Sequence, residues 1–150
     1  MPGNAAIARD LIDSSQYLTL ATADADGRPW ASPVWFAHED HVRLLWVSRP
    51  EARHSRNLAA RPEAGIVIFD STVRMGSGQA VYVEAGVEQL QGEDEERGIE
   101  LFSARSEALG GSAWAPADVR DPAPLRLYRA TAAAHWVLGA RDERVPVNLG

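Results

Sequence analysis

From residue 17 to residue 90 the apolar positions fall in short runs, several of them alternating with polar residues, cut by short polar turns. That period belongs to half-buried strands. Tyr17 to Ala23 carries Leu18 and Leu20 on one side, and Asp24-Ala25-Asp26-Gly27 supplies a turn whose Asp-Gly pair signals a hairpin. Trp30 to Ala37 reads as a second strand, with Pro33 marking an edge or bulge because proline gives no hydrogen to a ladder. His38 to His41 is a polar turn, and Val42 to Val47 a third strand with Val42, Leu44 and Trp46 on one face. Ala64 to Phe69 is an apolar strand, and Asp70 to Gly78 a polar connection. Gln79 to Leu90 alternates Val81, Val83 and Val87 with Tyr82, Glu84 and Glu88, so one face is buried and one is wet. Leu125 to Leu138 and Val145 to Leu149 are further strand candidates.

Helical periods are fewer. Residues 5–14 place Ile7, Leu11 and Ile12 on one face, and Gly92 to Arg105 reads as an acidic, solvated helix. Ser48 reads as a helix N-cap with Glu51 three residues on and Pro50 in the first turn, and Arg61-Pro62 ends that helix. Leu109 to Pro124 is loop-like and contains Trp114; as a roof over a pocket it would bear on specificity. Short strands joined by hairpins, with few helices, predict a mainly β antiparallel barrel in a single domain spanning residues 1–150.

Composition narrows the chemistry. The chain has 150 residues, 45% hydrophobic and 24% charged, which suits one folded domain. With no cysteine, disulfides, iron–sulfur ligation and thiol nucleophiles are excluded. All 15 basic residues are arginine, so a lysine Schiff base and an intact Walker A loop are excluded too. The formal net charge of −6 disfavours general nucleic-acid binding. No segment approaches the ~20 apolar residues of a membrane helix. Arg9, Asp10 and Asp13 break up any leader-like apolar run, so a cytoplasmic location is the expectation.

Against that acidic background, Ser48 to Leu58 stands out. A helix that starts at a strand end with Arg49, Arg53 and Arg56 nearby offers unpaired amides, positive dipole and cations to a phosphate. His38 and His41 have ligand-like i, i+3 spacing, but on a turn they read as a polar hairpin, and no metal site is expected. Gly76-Ser77-Gly78 opens no helix and lacks a dinucleotide fingerprint, and Gly110-Gly111-Ser112 lacks a nucleophile elbow.

The ordered set Leu18-Thr-Leu-Ala-Thr22, Asp26-Gly-Arg-Pro29, Ser32-Pro-Val-Trp-Phe36, Arg56-Asn-Leu58 with Arg61-Pro62, Val81-Tyr-Val-Glu84 and His135-Trp136 followed by Arg144 resembles the pyridoxamine 5′-phosphate oxidase-like, flavin-binding split-barrel family. The resemblance implies a six- to seven-stranded antiparallel Greek-key split β-barrel with short peripheral helices. It implies a homodimer with FMN at the subunit interface, a small-molecule substrate, and neither nucleic acid nor membrane as partner. By the same resemblance Ser32, Pro33, Val34 and Trp35 run beside the flavin ring, and Trp46, Val47 and Ser48 lie along the cofactor. Arg53 and His54 fall on the phosphate-binding pair, Gln79 is a further contact, and Trp136 reaches the flavin from the partner subunit. Two departures are visible. His54 stands where the family usually has lysine. In the segment Arg144-Val145-Pro146-Val147-Asn148, proline and asparagine replace a histidine and an arginine that grip substrate in true pyridoxamine phosphate oxidases.

The implied activity is hydride transfer through FMN, in a flavin or deazaflavin oxidoreductase branch. One alternative on the same fold is the deazaflavin coenzyme F-420, whose oligoglutamate tail would call on Arg28, Arg49 and Arg56. Another is a non-catalytic flavin- or haem-binding sensor, in which His135 or His54 would ligate iron.

Overall fold

The computed structural model describes residues 2–150. The chain builds α1 (Asn4–Ser14), β1 (Tyr17–Ala23), β2 (Pro29–Trp35), β3 (Ala37–Glu39), β4 (Arg43–Ser48), α2 (Arg53–Ala60), β5 (Glu63–Phe69), β6 (Ala80–Gln89), α3 (Gly92–Ala108), β7 (Arg126–Leu138) and β8 (Arg144–Val147). A 3₁₀ turn at Pro116–Val119 interrupts the long loop before β7. All strand pairs are antiparallel, in the order β2-β1-β5-β6-β7-β4-β3, with β8 added to β7. The mainly β split-barrel expectation is met. The eighth strand is β3, a three-residue piece cut from the end of the predicted second strand and the turn after it.

The order of the sheet forces it to curl. β2 is one edge and β3 is the other, yet only Phe36 separates them in sequence. Neighbouring Cα atoms lie about 3.8 Å apart, so a flat sheet with these edges is impossible. The edges meet at Phe36, which is buried at the junction. The longest pair, β6 with β7, adds coiling through an irregularity between Glu84 and Ala85, where Ala133 is extra on β7. Pro33 sits on β2, an edge strand, as its missing N–H requires.

Two apolar clusters flank this curled sheet. Inside the barrel lie Leu18, Leu20, Leu44, Trp46, Ile66, Ile68, Val81, Val83, Tyr128 and Val137, closed off by Ala8, Leu11 and Ile12 of α1. Outside it, Ile99 and Phe102 of α3 cover Leu45, Leu90 and Leu127. β4 is therefore covered on both faces, which is why Leu44-Leu45-Trp46 runs apolar without alternation. Gly98 lets α3 come this close, since a Cβ there would lie 3.0 Å from side-chain carbons of both Leu127 and Leu90.

The predicted capping box at Ser48 and Glu51 does not form. Ser48 is held in the β4 ladder opposite Arg126, residues 49–52 make a turn closed by the Ala52 amide on the Arg49 carbonyl (3.1 Å), and α2 starts at Arg53 after Ala52. Strand pairing outweighs a local capping preference worth about 1 kcal/mol.

Leu20 is fully enclosed at the barrel centre. Leu20→Ala is expected to lower unfolding free energy by about 2–5 kcal/mol in urea titrations; a loss within ~0.5 kcal/mol would show that the barrel interior is not a close-packed core.

Candidate functional site

The site is best built from α2. Its buried face carries His54, Ser55, Asn57 and Leu58. Asn57 donates from Nδ2 to Thr22 Oγ1 on β1 (3.0 Å, buried), bolting the helix to the sheet. His54 reaches two strands at once. Its Nδ1 lies 3.2 Å from Ser32 Oγ on β2, and its Nε2 lies 2.9 Å from Ser48 Oγ at the end of β4. β2 and β4 are not ladder neighbours, so the imidazole spans the seam where the curled sheet closes. Burial pushes the His54 pKa below its ordinary value, and no carboxylate hydrogen-bonds the ring to restore it. The neutral ring therefore brings no positive charge to the seam.

The charge is next door. Arg53, the first residue of α2, is exposed and lays its guanidinium over the Trp30 ring at 4.2 Å. Arg28 and Arg53 both act on Asp24, whose pKa is lowered chiefly by the Arg28 amide bonded to it, so the two cations share one patch. No side chain caps the start of α2, and the first helical bond at its N-terminus runs from the Arg56 amide to the Ala52 carbonyl (2.9 Å). Uncapped amides and an exposed guanidinium are a donor set suited to a phosphate.

The other predicted residues divide between walls and core. Pro33 is exposed on β2, whereas Val34 points into the barrel core. Trp35 is half-buried against α3, edge-on to Phe102 at 5.1 Å, with its indole N–H given to Gln16. Val47 packs at the margin of the same outer cluster. The Trp46 side chain, expected along the cofactor, is fully enclosed in the barrel core and stacked on Tyr128. A tryptophan between two leucines is drawn inward by burial of its large apolar surface. Gln79 is exposed in the loop leading into β6. Trp136 lies on β7 opposite Tyr82 and Pro146, beside a groove of about 520 Å³ that includes Arg144. There Arg144 stacks over Tyr82 at 4.6 Å. Within the chain the seam group (Ser32, Ser48, Arg53, His54) and the Tyr82–Trp136–Arg144 group are separate, with no hydrogen bond or ring contact joining them among the described residues. The Trp30 platform and the Arg144–Tyr82 stack were missed by sequence reasoning, because each joins residues from different elements and leaves no local spacing.

His38 and His41 form a clasp with α1. Both Nε2 atoms approach Asp13 Oδ1, at 2.8 and 2.9 Å, and their rings stack at 4.4 Å. Asp13, His38 and His41 thus bring metal-ligand chemistry together. His38 Nδ1, however, accepts the His41 amide hydrogen (3.1 Å), so in the neutral ring the proton sits on Nε2 and is donated to Asp13. A ligating imidazole needs the opposite arrangement, with its other nitrogen donating. His135 is buried on β7, and its Nε2 meets the His41 carbonyl at 3.1 Å.

These histidines set a pH dependence. Burial lowers the pKa of His38, against the pull of Asp13, and likewise those of His54 and His135. The unfolded chain takes up these protons near the ordinary value of 6.5, and the folded chain only at lower pH. Between the two the unfolded state holds more protons, so stability is complete above ~6.5 and falls as pH drops through the folded values. Urea midpoints are expected to be steady from about pH 8 to 7 and to decline towards about pH 5, with a smaller decline in His54→Gln. A midpoint that rises on acidification would contradict this account.

The sequence profile of the family described as pyridoxamine 5′-phosphate oxidase matches residues 6–138. A pyridoxine/pyridoxamine 5′-phosphate oxidase from Burkholderia multivorans is 32% identical over 98 residues, which is 65% of this chain and 42% of that one. A similar enzyme from Bordetella petrii is 31% identical over the same length, covering 43% of its own chain. The matched stretch thus spans less than half of these curated relatives. Among solved structures, a haem-binding protein from Mycobacterium smegmatis superposes with a TM-score of 0.78 at 21% identity, over 99% of this chain and 59% of that one. The haem storage protein HutZ from Vibrio cholerae gives 0.69 at 20% identity, over 88% and 91%. An F-420 reductase gives 0.63 at 20% identity, over 90% and 98%. At these identities the structures show a shared fold. The profile match across nearly the whole chain, on the curled antiparallel sheet described above, places this protein in the pyridoxamine 5′-phosphate oxidase family.

Proposed function

We propose that the chain binds FMN at the seam beside α2 and works as a flavin-dependent oxidoreductase on a small molecule. The observation that carries this reading is the uncapped start of α2, with Arg53 exposed beside it and the Ser32 and Ser48 hydroxyls held at the seam by His54. Arg53 and the first amides of α2 would hold the phosphate, and Arg53 would neutralise its charge. Backbone of the Ser32–Trp35 edge strand would orient the ring, because an edge strand keeps unpaired N–H and C=O groups. When bound, the flavin supplies the hydride chemistry, and the protein supplies binding, orientation and exclusion of water. This accounts for a site with no acid–base pair at the seam.

The reading includes a second copy of the chain. Trp136 and Arg144 stand on an open face away from the seam, and a partner subunit would bring them against the other protomer's cofactor. Pro146 and Asn148 occupy the positions where a substrate-gripping histidine and arginine stand in the true oxidases, so the proposed substrate is not a vitamin B6 phosphate. No helix among the described residues is long and apolar enough to cross a membrane.

A second reading, the deazaflavin coenzyme F-420, is favoured by one feature. Arg28 joins Arg53 at Asp24, so the cationic patch extends beyond what one phosphate needs. A haem site is less well supported, since both nitrogens of His54 are taken by serines and His135 already gives Nε2 to the His41 carbonyl.

Fluorescence titration should show FMN binding more tightly than riboflavin. Arg53→Ala is expected to weaken FMN about ten- to a hundredfold, the value of one charge-assisted hydrogen bond, and to leave riboflavin unchanged. No FMN binding, or equal losses for both ligands, would refute the assignment. Competition with F-420 separates the two cofactors, and native mass spectrometry reports retained ligand and oligomer together.

A further inference from the structure

His54 stands where the family resemblance implies a lysine, and its two hydrogen bonds bear on what that difference does. Ser32 Oγ and Ser48 Oγ have no side-chain hydrogen-bond partner other than His54 among the described residues. A neutral imidazole has one N–H and one lone pair, whereas each hydroxyl has one hydrogen and two lone pairs. The ring therefore makes opposite demands on the two serines. The serine that receives the imidazole N–H keeps its own O–H for a third partner. The other spends its hydrogen on the ring and has only lone pairs left.

With the proton on Nε2, the ring donates to Ser48 and takes the Ser32 hydrogen on Nδ1. Ser48 then faces outward as a donor and Ser32 as an acceptor. With the proton on Nδ1 the roles reverse. A lysine ammonium, with three hydrogens and no lone pair, would leave both serines as donors and could not switch. Ser48 is the residue at which β4 ends and the chain turns towards the start of α2, while Ser32 lies within β2. An anion at that helix start is thus better placed to draw on Ser48.

We propose that His54 is a positioning residue whose tautomer is set by the ligand: a phosphate at the start of α2 fixes the proton on Nε2, turns the Ser48 hydroxyl towards the anion, and leaves Ser32 as a hydrogen-bond acceptor towards the remainder of the ligand. This rests on the FMN reading for the identity of the whole ligand, and on the phosphate alone for the switch. The seam accordingly recognises a ligand that accepts at one end and donates at the other. A flavin phosphate fits that description, with its phosphate oxygens and its ring N–H.

Long-range proton–nitrogen correlation spectra of ¹⁵N-histidine-labelled protein at neutral pH distinguish protonated from bare ring nitrogens. The probes are inorganic phosphate, FMN and riboflavin, with binding confirmed separately by calorimetry. The free protein should show both tautomers of His54. Phosphate or FMN should leave only the Nε2–H form, and riboflavin should not. Ser48→Ala should weaken phosphate and FMN by about tenfold. A ring locked in one tautomer before ligand is added, a tautomer unmoved by bound phosphate, or a doubly protonated ring in the complex would each overturn the proposal. Phosphate that fixes Nε2–H while FMN fails to bind would sink the flavin reading and sustain the switch. Failure of both to bind would remove both.

Discussion

Phe36 alone separates the two outermost strands of the sheet, and that short link constrains everything else. Because β2 and β3 stand at opposite ends of the strand order, the sheet has to bend until its ends touch. The bend creates an interior, which Leu18, Leu20, Trp46 and their neighbours fill, and an open mouth that α1 stoppers. It also creates a seam between β2 and β4, where backbone hydrogen bonds do not continue from strand to strand. A closed barrel would leave no such place. A flat sheet would leave no wall on its far side.

The seam is where polar side chains take over from the backbone ladder. α2 lies there with an apolar residue, Leu58, in the core and three polar residues beside it on the buried face. Asn57 ties it to β1, and His54 ties β2 to β4. Buried polar groups are tolerated when they are paired, as His54 and Asn57 are, whereas the Ser55 hydroxyl has no hydrogen-bond partner among the described residues. Holding α2 in this way fixes its uncapped start at the barrel surface, with Arg53 free to face solvent over Trp30. The same contacts that close the fold therefore place the donors that make the candidate site. Histidine suits this dual task better than lysine, since a ring can bridge two hydroxyls at once and remain neutral when buried.

The strands were legible because alternation is a local signal. β1 was read to the residue, and β5, β6 and β7 to within a residue or so. Pro33 correctly marked an edge. The helix at 48–58 was misread because Ser48 and Glu51 satisfy a local rule that the ladder with Arg126 overrides. Trp46 was expected near a ligand and lies in the core, since a tryptophan has the same sequence signature in both places. Arg53 and His54 were found as a pair, but that one lies exposed and the other buried between two serines was not.

The sequence by itself determined the periodic elements, the absence of thiol and lysine chemistry, and the concentration of arginine around one strand-to-helix turn. These are properties of neighbouring residues, and short-range sterics and burial write them along the chain. Tertiary structure decided that the two edge strands meet at Phe36 and that Ser32, Ser48 and His54 converge from three elements. Such convergence depends on the curvature of the whole sheet. Curvature comes from strand order and twist summed over many residues, which no local spacing encodes.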